Sequence, residues 1–460
     1  MKKLRTNNSE LKKMKRIVIL GSGESGTGAA ILAKKQGFDV FVSDKGAIPQ
    51  NFKDELQQHA IAFEELQHSE ELILNADEII KSPGIPEKNE LIKKLRSLNI
   101  SIISEIEFAS RYTNAFIIAI TGTNGKTTVT SLVYHLLQKA GFNVAYGGNI
   151  GVSFARLVAE KQYDYFVLEI SSFQLDDMYE FHANIAVLTN ITPDHLDRYN
   201  YEIKNYINSK FRVTQNQTAA DYFFYCADDE LTKENLQSNQ INAQMVPFSL
   251  NPSLAAGATV MDGTMYVQIS NNQLNPFTML STQLALRGRH NAYNSLAAAL
   301  IGKALEIKNE VIREALTDFK NVEHRLENVA TVDGIQFIND SKATNVNAAW
   351  YALECMDKPV VWIAGGTDKG NDYTMLKELV KSKVRIIVCM GLDNSKIHEA
   401  FSKDVDMIVN TTSAIEAVKV AKQLSKSGEC VLLSPACASF DLFKNYEERG
   451  RLFKNAVKNL

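Results

Sequence analysis

Eight consecutive residues, Thr121-Gly122-Thr123-Asn124-Gly125-Lys126-Thr127-Thr128, follow the apolar run Ala115 to Ile120 and lead into a helical pattern. Glycines let a backbone fold around an anion without interference from Cβ atoms. The free N–H groups at a helix start point at such an anion. Lys126 is placed to contact the β and γ phosphates of ATP, and Thr127 to offer a hydroxyl to Mg2+. In a phosphate loop of the usual length an earlier glycine would fall at position 120, which is Ile, so this is a shorter variant. The bland reading is a glycine-rich turn with an incidental lysine, and the strand–loop–helix context weighs against it. One charge pair at ~4 Å and an effective dielectric near 20 is worth about 4 kcal/mol. A lysine held against several phosphate charges is therefore a strong determinant of binding.

Other chemistry-bearing residues fall at the ends of strand-like runs, where open α/β sheets place their ligands. Tyr165 to Leu168 ends at Glu169, a carboxylate able to hold Mg2+ or a metal-bound water, or else an N-cap or surface acid. Ile185 to Leu188 leads through Thr189 to Asp197, with His195 as a candidate ligand or phosphate contact; a lone histidine is more often structural. Gly147 to Gly151 follows another strand, and Asn149 there could bond a ligand or satisfy a turn. Near the N-terminus, Gly21-Ser22-Gly23-Glu24-Ser25-Gly26 fits a dinucleotide fingerprint, with Asp44 18 residues past Gly26. Read alone, that motif describes an NAD-dependent oxidoreductase.

The elements that must position these groups are short β-rich runs alternating with longer helical patterns. This alternation predicts parallel sheets covered by helices. At roughly 150 residues per domain, 460 residues suggest about three domains. We place them at 1–112, 113–321 and 322–460, with soft boundaries near Arg111 to Asn114 and Phe319 to Val322. The first and last are expected to be Rossmann-like and the central one a P-loop-type ATPase domain. Tyr222 to Leu286 alternates apolar and polar residues around Asp262-Gly263 and Asn271-Asn272, which predicts a small antiparallel sheet inserted in the central domain.

Composition narrows the classes. The net charge of −3 argues against a nucleic-acid binder. The five cysteines are scattered without metal-ligand spacing, as expected of reduced cytosolic thiols. Lys2, Lys3, Lys12, Lys13 and Lys15 make a basic start, expected to be a solvated tail, because only Ile17 to Leu20 follows where a signal peptide would need a long apolar stretch. No apolar run approaches the ~20 residues that span a bilayer. The expectation is a cytoplasmic protein without stable membrane insertion, acting as a monomer.

Taken together, the phosphate loop, Gly148 to Gly151, Glu169 to Ser172, Asn190 to Asp197 and Arg289 to Asn294 resemble the Mur ligases. His324-Arg325, Asn339 to Asn345 and Leu433 to Asp441 extend the resemblance, and these last two segments resemble the D-glutamate-adding branch. It covers nearly the whole chain beyond the first dozen residues. The resemblance implies partners UDP-N-acetylmuramoyl-L-alanine, D-glutamate and ATP, and an acyl-phosphate intermediate in peptidoglycan synthesis. It implies catalytic Lys126, His195 and Lys210, with Thr127 and Glu169 on one Mg2+ and His195 on a second. Lys210, otherwise read as a surface lysine, matches a lysine that is carbamylated in the family. Asn294, Arg325 and Asp340 would hold the nucleotide. Thr344, Lys369, Ser439 and Tyr446 would hold D-glutamate, although the family often has Phe where Tyr446 stands. Ser25, Asp44, Ser82, Gly84 and Asn149 would meet the UDP-sugar, whose diphosphate suits the glycine-rich loop as well as NAD does. Glu24 is an awkward acid for a loop facing an anion and is expected to point outward. A folylpolyglutamate synthase, an oxidoreductase and a nucleotide-gated binding protein are the alternatives.

Overall fold

Three sheets follow one another along the chain. The computed structural model describes residues 14–251, 256–270, 275–286, 288–320 and 323–460. The basic tail from Lys2 to Lys13, the Asn271-Asn272 turn and the end of the second boundary at 321–322 lie outside the described residues.

The first sheet is built from β1 (Arg16–Leu20), β2 (Asp39–Ser43), β3 (Ala62–Glu64), β4 (Glu78–Lys81) and β5 (Ser101–Ile103) in the order β3-β2-β1-β4-β5. All its pairings are parallel. The order reverses between β1 and β4, so the loops after them, which hold Gly21 to Gly23 and Ser82 to Gly84, flank the crevice where such sheets take ligands.

The second sheet contains β6 (Phe116–Thr121), β7 (Val144–Gly148), β8 (Tyr165–Glu169), β9 (Ile185–Leu188), β10 (Tyr222–Cys226), β11 (Gln244–Phe248), β12 (Gly257–Met261), β13 (Thr264–Gln268) and β14 (Phe277–Leu280). Its order is β14-β13-β12-β11-β10-β9-β6-β8-β7. β6 is central, and its parallel neighbours β8 and β9 bring Glu169 beside Ile120 and Leu188 beside Thr121. The expected antiparallel piece is smaller than Tyr222 to Leu286. β10 and β11 are parallel additions to the main sheet, and only β12, β13 and β14 run antiparallel, continuous with it. β10 and β11 are interior strands whose positions pass between half-buried or exposed and buried, and such a pattern does not distinguish a parallel addition from an antiparallel meander.

The third sheet runs β15 (Glu327–Val332), β16 (Ile335–Asn339), β20 (Cys430–Leu433), β17 (Val360–Ala364), β18 (Val384–Met390) and β19 (Met407–Thr411) across its width. Only β15 pairs antiparallel. Its inner strands β17 and β20 are buried on both faces, which is why they read as unbroken apolar runs, whereas the edge strands β15 and β19 are partly exposed.

One apolar core runs through the first two units, from Ile17 and Ile31 to Phe108, Phe154 and Phe166. The third sheet has its own two cores, one on each face. No helix among the described residues is long and apolar enough to cross a membrane.

Candidate active site

The buried, apolar β6 delivers the phosphate loop, and the helix Lys126–Lys139 starts directly after it. Gly122 and Gly125 take φ of 142° and 84°, a region costly for other residues. Thr123 and Asn124 spend their amides on Asn190, whose backbone O and Oδ1 accept at 2.8 and 3.0 Å. Thr189 Oγ1 donates to the Asn124 carbonyl at 2.6 Å. The loop is thus braced by the segment after β9, and the first-turn amides of the helix remain without intrahelical acceptors, as at any helix start. Lys126 Nζ donates to the carbonyls of Gly122 and Thr123, both at 2.8 Å, folded over its own loop. Burial holds its pKa below the ordinary lysine value.

Glu169 ends β8 and is 2% exposed. Its two oxygens accept from Thr127 Oγ1 at 2.6 Å and Asn149 Nδ2 at 2.8 Å. Burial alone would raise its pKa, but Lys342, Lys126 and these two bonds hold it below the usual carboxylate value. Lys210 is not a surface residue: it is 1% exposed, on the helix Ile203–Phe211. Its ammonium donates to the Gly122 carbonyl at 2.8 Å, and burial beside Lys126 drives its pKa well below the ordinary value. His195 adopts a left-handed φ of 54°. Burial lowers its pKa to about 4, with Asp194 opposing and Lys369, Lys126 and Lys210 assisting. At neutral pH its imidazole therefore keeps a lone pair.

A cleft opens beside the loop, lined by Asn124, Gly125, Thr128, Asn294, Arg325 and Asp340. Asn294 Nδ2 donates to Asn291 Oδ1 at 3.1 Å. Asp340 follows β16, accepts from Leu326 N and Ser434 Oγ, and is raised by burial to about 7. His290 and Tyr293, from the Arg289 to Asn294 segment, also wall the cleft, together with residues the sequence did not announce: Phe248, Tyr351, Asp228 and Asp229. These come from elements far apart in the chain, and no local spacing signals them.

The third sheet turns its strand-end loops to the same place. Lys369, after β17, is near enough to His195 to depress its pKa. Ser439 and Thr344 lie in the loops after β20 and β16, with Ser439 buried and Thr344 half-buried. Tyr446 opens the helix Tyr446–Lys458, and its ring lies 5.2 Å from Lys342 Nζ. Lys342 was missed as a site residue although it falls within the Asn339 to Asn345 segment. Burial lowers it to about 8 against the pull of Glu169. Asn345 Nδ2 reaches Asp194 Oδ2 at 3.2 Å and Asn124 Oδ1 at 3.4 Å.

The crevice of the first sheet is lined by Gly21, Ser22, Asp44, His68, Ser82 and Gly84 among others. Asp44 braces it, accepting from Ser22 N at 2.6 Å and Gly46 N at 2.8 Å. The Ser25 side chain lies against Glu105, because it is the second residue of the helix Glu24–Lys35, which packs on the second unit. Asn149 is drawn to Glu169, since β7 ends beside β8. Glu24 does not point into solvent: it pairs with Arg156 at 2.8 Å, across to the second unit.

The Mur ligase middle domain matches residues 120–302, the Mur ligase glutamate ligase domain matches 324–437, and the MurD N-terminal domain matches 16–91. A UDP-N-acetylmuramoylalanine--D-glutamate ligase of Christiangramia forsetii is 54% identical over 446 residues, covering 97% of this chain and 100% of its own. One from Bacteroides fragilis is 55% identical over 448 residues, with the same shares. Among solved structures, the UDP-N-acetylmuramate-alanine ligase of Thermotoga maritima has a TM-score of 0.62 at 20% identity, covering 97% of this chain and 99% of its own. The folylpolyglutamate synthase of Mycobacterium tuberculosis has a TM-score of 0.56 at 15% identity, covering 75% and 91%. These two likenesses concern the fold. The three domain matches in series, and relatives more than half identical along the whole length, show that this chain belongs to the Mur ligase family.

Proposed function

We propose that the chain joins D-glutamate to UDP-N-acetylmuramoyl-L-alanine, with ATP converted to ADP and phosphate, as a cytoplasmic monomer in peptidoglycan synthesis. The observation that carries this is the meeting of Lys126 and Glu169 with Lys342 and Lys369: groups for phosphate, carboxylate and amino acid come from two sheets to one place. The full-length relatives bearing that activity in their names support the substrate pair.

In this reading residues 1–112 hold the UDP end, with Asp44, Ser82 and Gly84 at the crevice. Residues 113–321 hold ATP, and 322–460 hold D-glutamate through Thr344, Lys369, Ser439 and Tyr446. The cleft with Asn294, Arg325 and Asp340 takes the nucleoside. The substrate carboxylate attacks the γ-phosphorus, giving an acyl phosphate and ADP. The amine of D-glutamate then adds to the acyl carbon, and phosphate leaves as the amide forms. Such transfer depends on positioning and charge neutralisation. Lys126 exchanges two carbonyl acceptors for phosphate oxygens, and Lys342 adds a second cation from the third unit.

The donor set suits Mg2+: Thr127 and Glu169 offer hard oxygens, and His195 offers a neutral imidazole for a second ion. Bound there, Mg2+ would neutralise phosphate charge. Lys210 fits carbamylation, because burial disfavours its ammonium, and the unprotonated amine can add CO2 and release a proton, turning a cation that repels metal into an anion that attracts it.

Phosphate release from ATP should require both UDP-N-acetylmuramoyl-L-alanine and D-glutamate. Equal release with L-lysine or meso-diaminopimelate would reassign the amino acid, and release with a folate in place of the UDP-sugar would overturn the reading.

A further inference from the structure

Away from the phosphate loop, one side-chain cluster joins the second unit to the third. His290 lies in the first turn of the helix Arg289–Ala304, and Glu354 and Cys355 end the helix Val346–Glu354. An imidazole nitrogen, a carboxylate oxygen and the thiol sulfur of these residues all lie within 4.8 Å of one another. Cys355 Sγ is 3.7 Å from His290 Nδ1. A tetrahedral zinc ion, with Zn–S about 2.3 Å and Zn–N about 2.0 Å, separates such a pair by about 3.5 Å. The two atoms therefore already stand close to ligand spacing.

One further observation points to a cation. Glu354 Oε2 is buried and has no hydrogen-bond partner among the described residues, a costly state for a carboxylate oxygen. The sulfur lies against the start of a 16-residue helix, but burial beside Glu354 and Asp340 pushes the Cys355 thiol up to about 12, so a thiolate there needs a bound cation to offset it. Gly288 makes that approach possible, since a Cβ there would be 2.3 Å from Cys355 Sγ.

We propose that His290, Glu354 and Cys355 form a site for a borderline-soft divalent ion of the zinc type, and that its occupation inhibits turnover by pinning the two units together. Mixed N, O and S donors select against Mg2+, which demands oxygen ligands. On binding, the thiol proton leaves to solvent as the metal–sulfur bond forms, and water takes the fourth position. His290 and Tyr351, from the two units, both wall the nucleotide cleft, so an ion at His290 restrains the movement that cleft needs. Ion binding stands independently of the ligase reading; inhibition rests on it.

The full chain, freed of metal by chelation and desalted, is titrated with Co2+ and then Zn2+. A thiolate-to-cobalt charge-transfer band is expected to saturate at one equivalent and to vanish on adding Zn2+. Cys355→Ser should abolish the band and raise the Zn2+ concentration that halves phosphate release by tenfold or more. Glu354→Gln, which keeps the thiol, should retain a band and weaken Co2+ binding by tenfold or more. Absence of the band in the unaltered chain, or its persistence in Cys355→Ser, overturns the site. A band lost in Cys355→Ser, together with phosphate release that Zn2+ inhibits equally in both proteins, overturns the inhibitory role and leaves the site. No phosphate release from the unaltered chain under any condition fails the ligase reading, and the optical titration still decides the site.

Discussion

The joint between the first and second units and the joint between the second and third are built from different materials. At the first, a single apolar core passes through both units. Gly28 packs so closely that a Cβ there would be 2.0 Å from Ser153 Oγ. Arg156 pairs with Glu24 and Glu55 across it, and buried Lys81 pairs with Asp177 at 2.9 Å. Glu107 accepts backbone N–H bonds from Tyr179, Glu180 and Phe181. At the second joint the cores stay separate. What crosses is polar and longer: Asn124 to Asn347 at 3.4 Å, Asn345 to Asp194 at 3.2 Å. An apolar joint is held by area removed from water and resists opening, whereas polar domain contacts allow relative motion. In the proposed reading, the two units fixed together would hold UDP-sugar and ATP, and the third would close over them.

The largest effect should come from what the second joint delivers. Lys342→Gln is expected to lower kcat by about 10²–10³-fold, the usual loss of a preorganised charge donor. Its melting temperature should not change measurably, because Lys342 is buried against its will and supports no core. Unaltered turnover would remove Lys342 from the site and with it the main reason for closure.

The first joint should respond in the opposite currency, stability rather than rate. Glu105 is fully buried there, bonded to the Ala155 amide, and burial raises its pKa to about 8 from an ordinary 4.5. An acid with a raised folded pKa binds its proton more tightly when folded. Stability is then complete below about pH 4.5 and is lost as pH rises through about 8, at up to about 1.4 kcal/mol per pH unit. Glu105→Gln should flatten that slope in denaturant melts at pH 5.5 and 7.5. Equal slopes in both proteins would show that Glu105 is ionised in the fold. Gly28→Val tests the same joint by volume. Overpacking should cost about 1–3 kcal/mol in the same melts, with turnover of the folded protein retained; an unchanged melt would mean that the two helices slide apart freely.

Legibility in the sequence followed the same division. The phosphate loop was readable because anion binding by a strand–loop–helix needs contiguous residues, Glu169 because β8 ends at it, and His195 because it lies in the loop that follows β9. Lys210 was unreadable as a buried group, since what it faces is the Gly122 carbonyl of the phosphate loop, 88 residues away in sequence. What Ser25 and Asn149 meet was unreadable for a related reason: both lie within the expected glycine-rich segments, but helix phase turns Ser25 to Glu105 and strand pairing turns Asn149 to Glu169. The aromatic walls Phe248 and Tyr351 had no local signature at all. Local chemistry was visible; the joints, which decide what moves, were not.

The smallest effect tests whether the polar bonds of the second joint matter to closure. Asn345 caps the helix Val346–Glu354 by accepting from Ala348 N at 2.8 Å through Oδ1, while its Nδ2 crosses to Asp194 and Asn124. Asn345→Asp keeps the cap, since a carboxylate oxygen accepts equally well at a helix N-terminus. It replaces the donor that meets Asp194 with a like charge. Asn345→Ala loses both functions, and the cap alone is worth about 1 kcal/mol. If closure uses the crossing bonds, both variants should raise the KM for ATP by about fivefold, the equivalent of ~1 kcal/mol, and Asn345→Ala alone should melt earlier. If Asn345→Asp binds ATP as the unaltered protein does, the crossing bonds are incidental to closure. The second joint would then be held by the substrates rather than by the chain.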